Sequence, residues 1–386
     1  MTTVTAYEIV PTCPKALAEK SAPLTLCPPP SWSAGSPLAR LKNQLFKIAL
    51  TLNARAACKA GRHAPKFSRR SSGRKLPERQ PPLAGGLSAM ADDVTASNTY
   101  VETELTVRLK AVSAATKTDV LAMICPITMP LDDIIRNAVE DYKAKSKTKN
   151  DNVFVIIETE GGSIETAERI ADLLRYHWKG EVSFIIPNFA MSAGTILVMS
   201  GDHIYMDYYS ILGPIDPQVR RAGTGKWVPA LGYLDKYKAL IDSSNKGTLS
   251  AAELTFLIEK FDPAELHQFE QARDLSIDLL KKWLVKYKFK NWKKTGTKKK
   301  TVTLAMKEQR ASEIAKLLNE TKKWKTHGRG LSIEVVRKEL FLVVEDFGAN
   351  AALNKAVRSY YRLLQDYMMR RDHQLVIQTP ENYFAV

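Results

Sequence analysis

The chain has 386 residues, of which 45% are hydrophobic and 8% aromatic, so it is long enough for two ordinary domains and apolar enough to bury a core. The formal net charge of +16 is concentrated at one end, because residues 1–89 hold fourteen Lys and Arg against three Asp and Glu. No run of eighteen apolar residues occurs, which argues against a membrane span. The sequence also lacks the basic start and following apolar run of a secretory signal, so no export signal is predicted.

Residues 1–90 form a basic tail rich in Pro, Ser and Arg. Residues 1–89 contain eleven of the nineteen prolines and three of the four cysteines. Such a composition is typical of a disordered segment, and Met90 is an alternative start, in which case the tail is not translated. Only Cys125 lies in the rest of the chain, so no intramolecular disulfide is available there, and a cytoplasmic, reducing location is predicted.

Residues 91–226 show strands that alternate with helices. Four short apolar runs have strand length: Val120–Ile124, Val153–Ile157, Val182–Ile186 and His203–Met206. Helices are predicted after Pro130, after Ser163 as N-cap, and over Ala190–Ser200. This alternation predicts an α/β core of stacked crossover units.

Residues 227–386 have few strand signals and are predicted to form a mainly helical C-terminal extension. Helical spacing of apolar residues occurs in four segments: Leu231–Asp242, Ala251–Lys260, Pro263–Tyr287 and Met306–Thr321.

Two small-residue turns in the α/β core carry the candidate chemistry. Ser192 lies where a strand and turn give way to a helix, and its small neighbours leave room for a substrate carbonyl, as a nucleophilic serine requires. The N–H of Ala193 can then donate to a developing oxyanion. Gly161 and Gly162 follow a buried strand and let the backbone turn an N–H outward with no Cβ in the way of a peptide. Each turn alone is a weak signal, whereas the pair, one strand-helix unit apart, is more specific.

Three motifs together resemble the serine dehydrogenase proteinase family, which belongs with the Clp protease, signal peptide peptidase and crotonase fold. They are Glu158-Thr-Glu-Gly-Gly-Ser163, Pro187-Asn-Phe-Ala-Met-Ser-Ala-Gly-Thr195 and Tyr208-Tyr-Ser-Ile-Leu-Gly-Pro-Ile-Asp-Pro-Gln218. The resemblance extends from about residue 118 to the end of the chain. It implies a ClpP/crotonase-like spiral of strand-strand-helix repeats, a serine endopeptidase or related hydrolase, no metal or other cofactor, and a homo-oligomer.

Carried over to this chain, the resemblance implies that Ser192 is the nucleophile and that the N–H groups of Gly162 and Ala193 form the oxyanion hole. Gly161 and Ser163 are assigned to substrate binding.

The general base does not follow from the resemblance, because the segment where Clp proteases carry a histidine contains none here. Lys246 is the candidate base and Asp216 the candidate orienting residue, since a buried lysine can deprotonate a serine. The alternatives are Lys236, Lys238 and His327, the last in a His-Gly-Arg loop. His177 and His203 are poorer candidates, since both are predicted to point away from Ser192.

Residues 281–300 suggest a competing function, because they contain ten lysines, no acid and four aromatic residues. Lysines interleaved with aromatic rings favour single-stranded nucleic acid or an acidic partner. The alternative, which we prefer, is a helix end with buried rings and solvated lysines. Two helical segments further on, Ala311–Leu318 and Ile333–Leu340, resemble a helix-turn-helix pair.

The sequence therefore predicts an ATP-independent, Clp-protease-like serine endopeptidase that acts on polypeptides through an acyl-enzyme on Ser192. The alternatives are a catalytically silent Clp-fold scaffold or adaptor, and a protein that binds nucleic acid or an acidic partner through residues 281–300.

Overall fold

The computed structural model describes residues 85–146, 150–220, 227–296 and 298–386, and the predicted basic tail lies outside these ranges except for its last residues. Helix α1 begins at Gly85 and continues to Thr116. The other helices of the first half are α2 (Leu131–Lys145), α3 (Ile164–His177) and α4 (Ala193–Val198). No helix in these ranges is both long enough and apolar enough to cross a lipid bilayer.

A seven-stranded sheet forms the centre of the described chain. Its strands are β1 (Asp119–Ile124), β2 (Val153–Glu158), β3 (Val182–Ile185), β5 (His203–Met206), β10 (Glu345–Asp346), β11 (Val376–Gln378) and β12 (Tyr383–Ala385), in the order β10-β5-β3-β2-β1-β11-β12. The first five are mutually parallel where they pair. Every residue of β1, β2 and β3 is buried, as expected for parallel strands with both faces covered. The predicted α/β core is confirmed.

A second, three-stranded sheet lies beside the first and carries the segments around Ser192. It consists of β4 (Phe189–Ala190), β6 (Ile211–Leu212) and β9 (Leu331–Ser332), in the order β4-β6-β9. Strand β4 runs parallel to β6, and β9 runs antiparallel to it. The helix predicted over Ala190–Ser200 is therefore shorter than expected, because Ala190 pairs with Leu212 and α4 begins only at Ala193.

The second half of the chain is rich in helices but is not separate from the core. Its helices are α5 (Ala230–Asn245), α6 (Ala251–Lys260), α7 (Pro263–Trp283), α8 (Leu304–Leu318), α9 (Thr321–Trp324), α10 (Ile333–Lys338) and α11 (Ala351–Arg371). A short two-stranded sheet, β7 (Gln218–Arg220) with β8 (Trp227–Pro229), precedes them.

Four strands from this half complete the two sheets: β9 pairs with β6, β10 with β5, β11 with β1, and β12 with β11. The sequence gives little sign of these strands because each is only two or three residues long. Helix α11 also shares a hydrophobic cluster with α1 and β1, in which Tyr360 and Leu364 pack with Leu105 and Leu109. The part that was predicted as an extension is thus integral to the core.

The predicted helix-turn-helix pair is not formed as such. Its first segment is the end of α8, and its second is α10, which has only six residues. Helix α9 and strand β9 lie between them in the chain, and β9 is committed to the three-stranded sheet. This removes the geometric basis for that form of nucleic-acid binding.

Candidate active site

The glycine turn after β2 lies directly against the segment that contains Ser192. Thr159 N–H donates to the carbonyl of Phe189 at 3.1 Å, and Met191 N–H donates back to the carbonyl of Thr159 at 2.9 Å. These two bonds continue the parallel pairing beyond the end of β2 and bring Gly161 beside Ser192. A methyl group placed on Gly161 would lie 2.7 Å from Ser192 Cβ and 2.7 Å from the carbonyl oxygen of Met191. Only glycine fits at this position.

The glycine turn also packs closely against the segment after β1. Ile127 N–H donates to the carbonyl of Gly161, and Ser163 N–H donates to the carbonyl of Ile127, both at 2.7 Å. A Cβ on Gly162 would lie only 2.1 Å from the oxygen of Ile127. Both glycines adopt positive φ, +101° at Gly161 and +147° at Gly162. The turn after β2 therefore needs glycine at both positions, for the backbone conformation and for the close contacts.

Ser192 occupies a strained position in a sharp turn. Its backbone φ is +53° with ψ −120°, a combination that non-glycine residues rarely adopt and that costs on the order of 1–3 kcal/mol. The side chain is half-buried, and Ser192 Oγ makes no hydrogen bond within the described chain. A strained strand-to-helix turn that exposes a serine hydroxyl is the arrangement typical of an activated nucleophile.

The backbone N–H groups near Ser192 that have no acceptor among the described residues include those of Gly162 and Ala193. Ala193 is the first residue of α4, so its N–H has no partner within the helix. Two other N–H groups of these segments are used, since Gly161 N–H donates to Thr159 Oγ1 at 3.0 Å and Gly194 N–H to the carbonyl of Met191 at 2.8 Å. Free donors are thus present on both segments that flank the serine.

Ser163 begins α3 as its N-cap, as the sequence predicts. Its hydroxyl accepts the N–H of Thr166 at 3.0 Å and donates to Glu165 at 2.7 Å. Its backbone N–H is held by Ile127, as described above. The hydroxyl is therefore occupied in structural contacts, and a contribution of Ser163 to substrate binding stays a prediction.

The predicted orienting residue Asp216 is buried and paired. Its side chain is 2% exposed, and Oδ1 lies 2.9 Å from His327 Nδ1. Its other oxygen, Oδ2, accepts from Gln218 Nε2 at 2.9 Å. The sequence raised His327 only as an alternative; the pairing with Asp216, 111 residues away, depends on β9 joining β6 and could not be read from spacing.

The three candidate lysine bases are all exposed. Lys246 follows the last residue of α5, with Gly247 after it, and its side chain has no hydrogen bond or ion pair in the described chain. Lys236 and Lys238 lie on the outer surface of α5. A lysine base requires burial to lose its proton near neutral pH, and none of the three is buried in this chain.

The two poorer histidine candidates lie elsewhere. His203 begins β5, and its ring bonds Glu345 at 2.9 Å, at the end of the sheet opposite to the glycine turn. His177 is the last residue of α3. Both placements agree with the expectation that these side chains point away from Ser192.

Helix α11 supports the segments around the site from behind. Arg358 donates to the carbonyl of Pro187 at 2.6 Å and also binds the carboxylate of Asp207. Tyr361 binds the carboxylate of Glu158, which closes β2, and Gln365 donates to the same carboxylate at 3.1 Å. Burial raises the pKa of Glu158 despite these hydrogen bonds. Nothing in the local sequence of α11 signals this function, because its partners are more than 150 residues away.

The rings in residues 281–300 are largely used by the core. Trp283 and Phe289 are buried, and the ring of Tyr287 is covered by the guanidinium of Arg175 at 3.6 Å. Lys282 pairs with Glu168, and Lys290 pairs with Asp202. The rings are therefore not free to stack with bases, as the preferred interpretation of this segment expects.

The comparisons with known proteins agree with the motifs. The profile of the ClpP-like SDH-type serine proteinase family matches residues 133–303. Two uncharacterized proteins of Methanocaldococcus jannaschii, MJ0137 and MJ1495, are 39% identical over 75 residues and 36% identical over 104 residues. These matches cover 19% and 27% of this chain, and the chain spans only 26% and 33% of the length of those relatives.

Among solved structures, two variants of the 1510-N membrane-bound stomatin-specific protease are similar to this chain. One has a TM-score of 0.35 with 13% identity, covering 58% of this chain and 76% of the protease. The other, in complex with a substrate peptide, has a TM-score of 0.34 with 14% identity, covering 59% and 75%. The family profile matches both site segments, and the resemblance of this chain to the serine dehydrogenase proteinase family is therefore confirmed over residues 133–303.

Proposed function

We propose that this chain is an ATP-independent serine endopeptidase of the Clp-protease-like type, which cleaves polypeptides through an acyl-enzyme on Ser192. One observation carries the proposal: Ser192 is held at positive φ with a free hydroxyl, between two segments that each offer an unused backbone N–H. The family match supports the class of reaction. No glycine-rich phosphate loop followed by Lys-Ser or Lys-Thr occurs in the sequence, which is the reason for proposing independence from ATP.

In the proposed reaction, Ser192 Oγ attacks the carbonyl carbon of the scissile peptide bond. The oxyanion that forms accepts hydrogen bonds from the N–H groups of Gly162 and Ala193, whose donors are already in place before the charge develops. Gly161 has no Cβ, which lets its turn lie directly against Ser192, and a contribution of Gly161 to substrate binding is part of this proposal. Expulsion of the amine leaves an ester on Ser192, which water then hydrolyses.

The proposal also includes three finer features that the family resemblance implies. They are a ClpP/crotonase-like spiral, a homo-oligomer and a cytoplasmic location. The parallel order of β1, β2, β3 and β5, each followed by a turn into a helix or a short strand, supports the first.

The proposal is tested with a fluorophosphonate probe and intact-mass analysis of the full chain. We expect one adduct, mapped to Ser192, and no adduct in Ser192→Ala. Ser244→Ala serves as the matched control, because this serine is exposed on α5, and it should label like the wild type. A casein-type substrate should be hydrolysed by the wild type and by Ser244→Ala but not by Ser192→Ala.

The two alternatives correspond to distinct outcomes. Folded wild-type protein without an adduct would favour the silent scaffold. Binding to nucleic acid that weakens steeply with salt, together with no adduct, would favour the lysine-rich segment 281–300.

A further inference from the structure

Glu158, the last residue of β2, has a buried carboxylate that the proposed chemistry above does not use. Tyr361 donates its hydroxyl to one oxygen, and Gln365 donates Nε2 to the other at 3.1 Å. The side chain of Asn188 also hydrogen-bonds the carboxylate. These three donors are uncharged, and Arg358 on the same side of α11 pairs with another carboxylate. A buried carboxylate held by neutral donors adds little stability, so stability alone does not account for Glu158 at this place.

The carboxylate bridges the two chain segments that lead to the site. Glu158 is followed by Thr159, whose N–H donates to the carbonyl of Phe189 at 3.1 Å. Asn188 directly precedes Phe189 in the chain. The side-chain bond between Glu158 and Asn188 therefore lies one residue before the backbone bond that joins the same two segments. The carboxylate connects these segments just before each of them forms its turn at the site.

One face of α11 holds both of these segments. Arg358, Tyr361 and Gln365 are spaced three and four residues apart, so they lie along one side of the helix. Arg358 donates to the carbonyl of Pro187 at 2.6 Å and pairs with Asp207, so this face reaches the segment before β4 as well as β2. Other side chains of α11 are packed into the hydrophobic cluster with α1 and β1, which fixes the helix in place.

The charge of Glu158 depends on its surroundings. Burial raises the pKa of Glu158, and its hydrogen bonds oppose this effect. Burial also raises the pKa of Tyr361, which keeps the hydroxyl a donor, whereas Arg358 lowers that pKa. From β1, Cys125 donates its N–H to the carbonyl of Glu158 at 3.1 Å, and its thiol stays neutral because burial raises its pKa. The ionised carboxylate accepts from all of its donors, and protonation removes part of this capacity.

We infer that Glu158 is a positioning residue for this site, and that its hydrogen bonds to Tyr361 and Asn188 set the distance between the glycine turn and Ser192. The inference rests on the proposed function, because it concerns the alignment of Ser192 with the N–H of Gly162. With the carboxylate ionised, β2 and the segment before β4 are held together, and the N–H of Gly162 meets the developing oxyanion. Protonation of Glu158 weakens these bonds, so the reaction slows although Glu158 takes no part in bond making.

The test measures the second-order rate of fluorophosphonate labelling at Ser192 in the full chain as a function of pH. We expect Tyr361→Phe to slow labelling by about 10-fold and to move its decline in acid to higher pH. The shift is upward because the variant removes a hydrogen bond that lowers the pKa of Glu158. Tyr367→Phe is the matched control, since it removes a hydroxyl of the same helix from its bond of 3.0 Å to Glu102 on α1. It should retain the wild-type rate and pH profile.

Glu158 is tested by its coupling to Tyr361. Glu158→Gln keeps the shape of the side chain but removes the charge, and it should slow labelling by on the order of 10–100-fold. The double variant with Tyr361→Phe should match Glu158→Gln in rate and pH profile, because residues that act as a unit are not additive. A merely structural effect of Tyr361 would instead add to that of Glu158 and leave the pH profile unmoved.

The outcomes separate this inference from the proposed function. An unmoved pH profile in Tyr361→Phe, or additive losses in the double variant, overturns the positioning function of Glu158 and leaves the serine peptidase standing. Equal slowing by Tyr361→Phe and Tyr367→Phe also overturns it, because the effect then comes from a general loosening of α11. Tyr361→Phe decides alone if Glu158→Gln does not fold. No adduct on wild-type Ser192 overturns both the proposed function and this inference.

Discussion

The two ends of the central sheet are stabilised in different ways. At the end where β3, β5 and β10 begin, charged side chains connect the strands. At the end where β1 and β2 finish, backbone hydrogen bonds between the turns hold Ser192, with glycines wherever a side chain would collide. The difference shows one way in which a fold can keep a strained serine: hydrogen bonds between backbone groups hold the turns, and free N–H groups and an unbonded hydroxyl remain at the site.

Asp202 is the centre of the charged end. Its side chain is 1% exposed and accepts from Lys290 at 2.5 Å, Arg175 at 2.7 Å and the N–H of Val182 at 2.9 Å. Burial raises the pKa of Asp202, but these hydrogen bonds outweigh it and hold the pKa below its ordinary value. The carboxylate therefore connects α3, β3 and the segment after α7.

The largest expected effect is at the site, where Gly161→Ala should both slow labelling of Ser192 by about 100-fold or more and destabilise the fold. The new methyl would contact Ser192 Cβ and the carbonyl of Met191, at a φ that alanine rarely adopts. Gly232→Ala is the control, because a methyl added to this glycine of α5 would have no atom within 4 Å, and the change should be neutral or stabilising by up to about 1 kcal/mol. Equal labelling of the two variants would contradict the tight contact between the turns.

The next effect is at the charged end, where Asp202→Asn should lower the free energy of unfolding by about 3 kcal/mol. It leaves Arg175 and Lys290 without their buried partner. Chemical denaturation measures the loss, and the labelling rate of the protein that remains folded should stay at the wild-type value. Asp274→Asn removes an acid from an exposed pair with Arg273 and should change stability by less than about 0.5 kcal/mol. A labelling defect in Asp202→Asn would show that the two ends are coupled.

A smaller, pH-dependent effect is expected at His203. The hydrogen bond to Glu345 raises the pKa of His203, and that bond, against the effect of burial, lowers the pKa of Glu345. His203 thus contributes to the free energy of unfolding below about pH 6.5, and this contribution is lost as pH rises through its raised pKa. The contribution of Glu345 to the free energy of unfolding is lost instead as pH falls below about 4.5. Glu181 and Lys288 also face this ring, the first raising and the second lowering the pKa.

The measurement is the free energy of unfolding at about pH 6 and about pH 9. The decrease between them should be smaller in His203→Gln than in the wild type, by at most about 1 kcal/mol because both side chains are partly exposed. His267→Gln, on the exposed surface of α7, should retain the wild-type pH dependence. An unchanged pH dependence in His203→Gln would show that the pair of His203 and Glu345 does not stabilise the fold.

The smallest effect is expected in the lysine-rich segment. Replacing Lys298, Lys299 and Lys300 together by Gln should change stability by less than about 0.5 kcal/mol and leave labelling unchanged, because all three are exposed. If the chain does bind nucleic acid there, the slope of log affinity against log salt should fall by about three. Slower labelling would instead connect this segment with the site around Ser192.

Much of the first half could be predicted from local patterns. β1, β2, β3 and β5 are continuous or alternating apolar runs of strand length, and Ser163 precedes an amphipathic helix with the polarity of an N-cap. The turn with Gly161 and Gly162 follows β2, and Ser192 lies in the turn that follows β4. Such features are encoded within ten or twenty residues, because they depend on side-chain burial and backbone preference.

What the sequence by itself determined is therefore the α/β class and the two short turns that meet at Ser192. The contacts made by Asp216, His327, Arg358 and Tyr361 were decided only by the tertiary structure. Strands of two or three residues have no periodicity to detect, and they pair only after distant elements pack into one core. That pairing brings His327, which the sequence places in a polar loop, to the buried carboxylate of Asp216 at the end of the three-stranded sheet that carries the segments around Ser192.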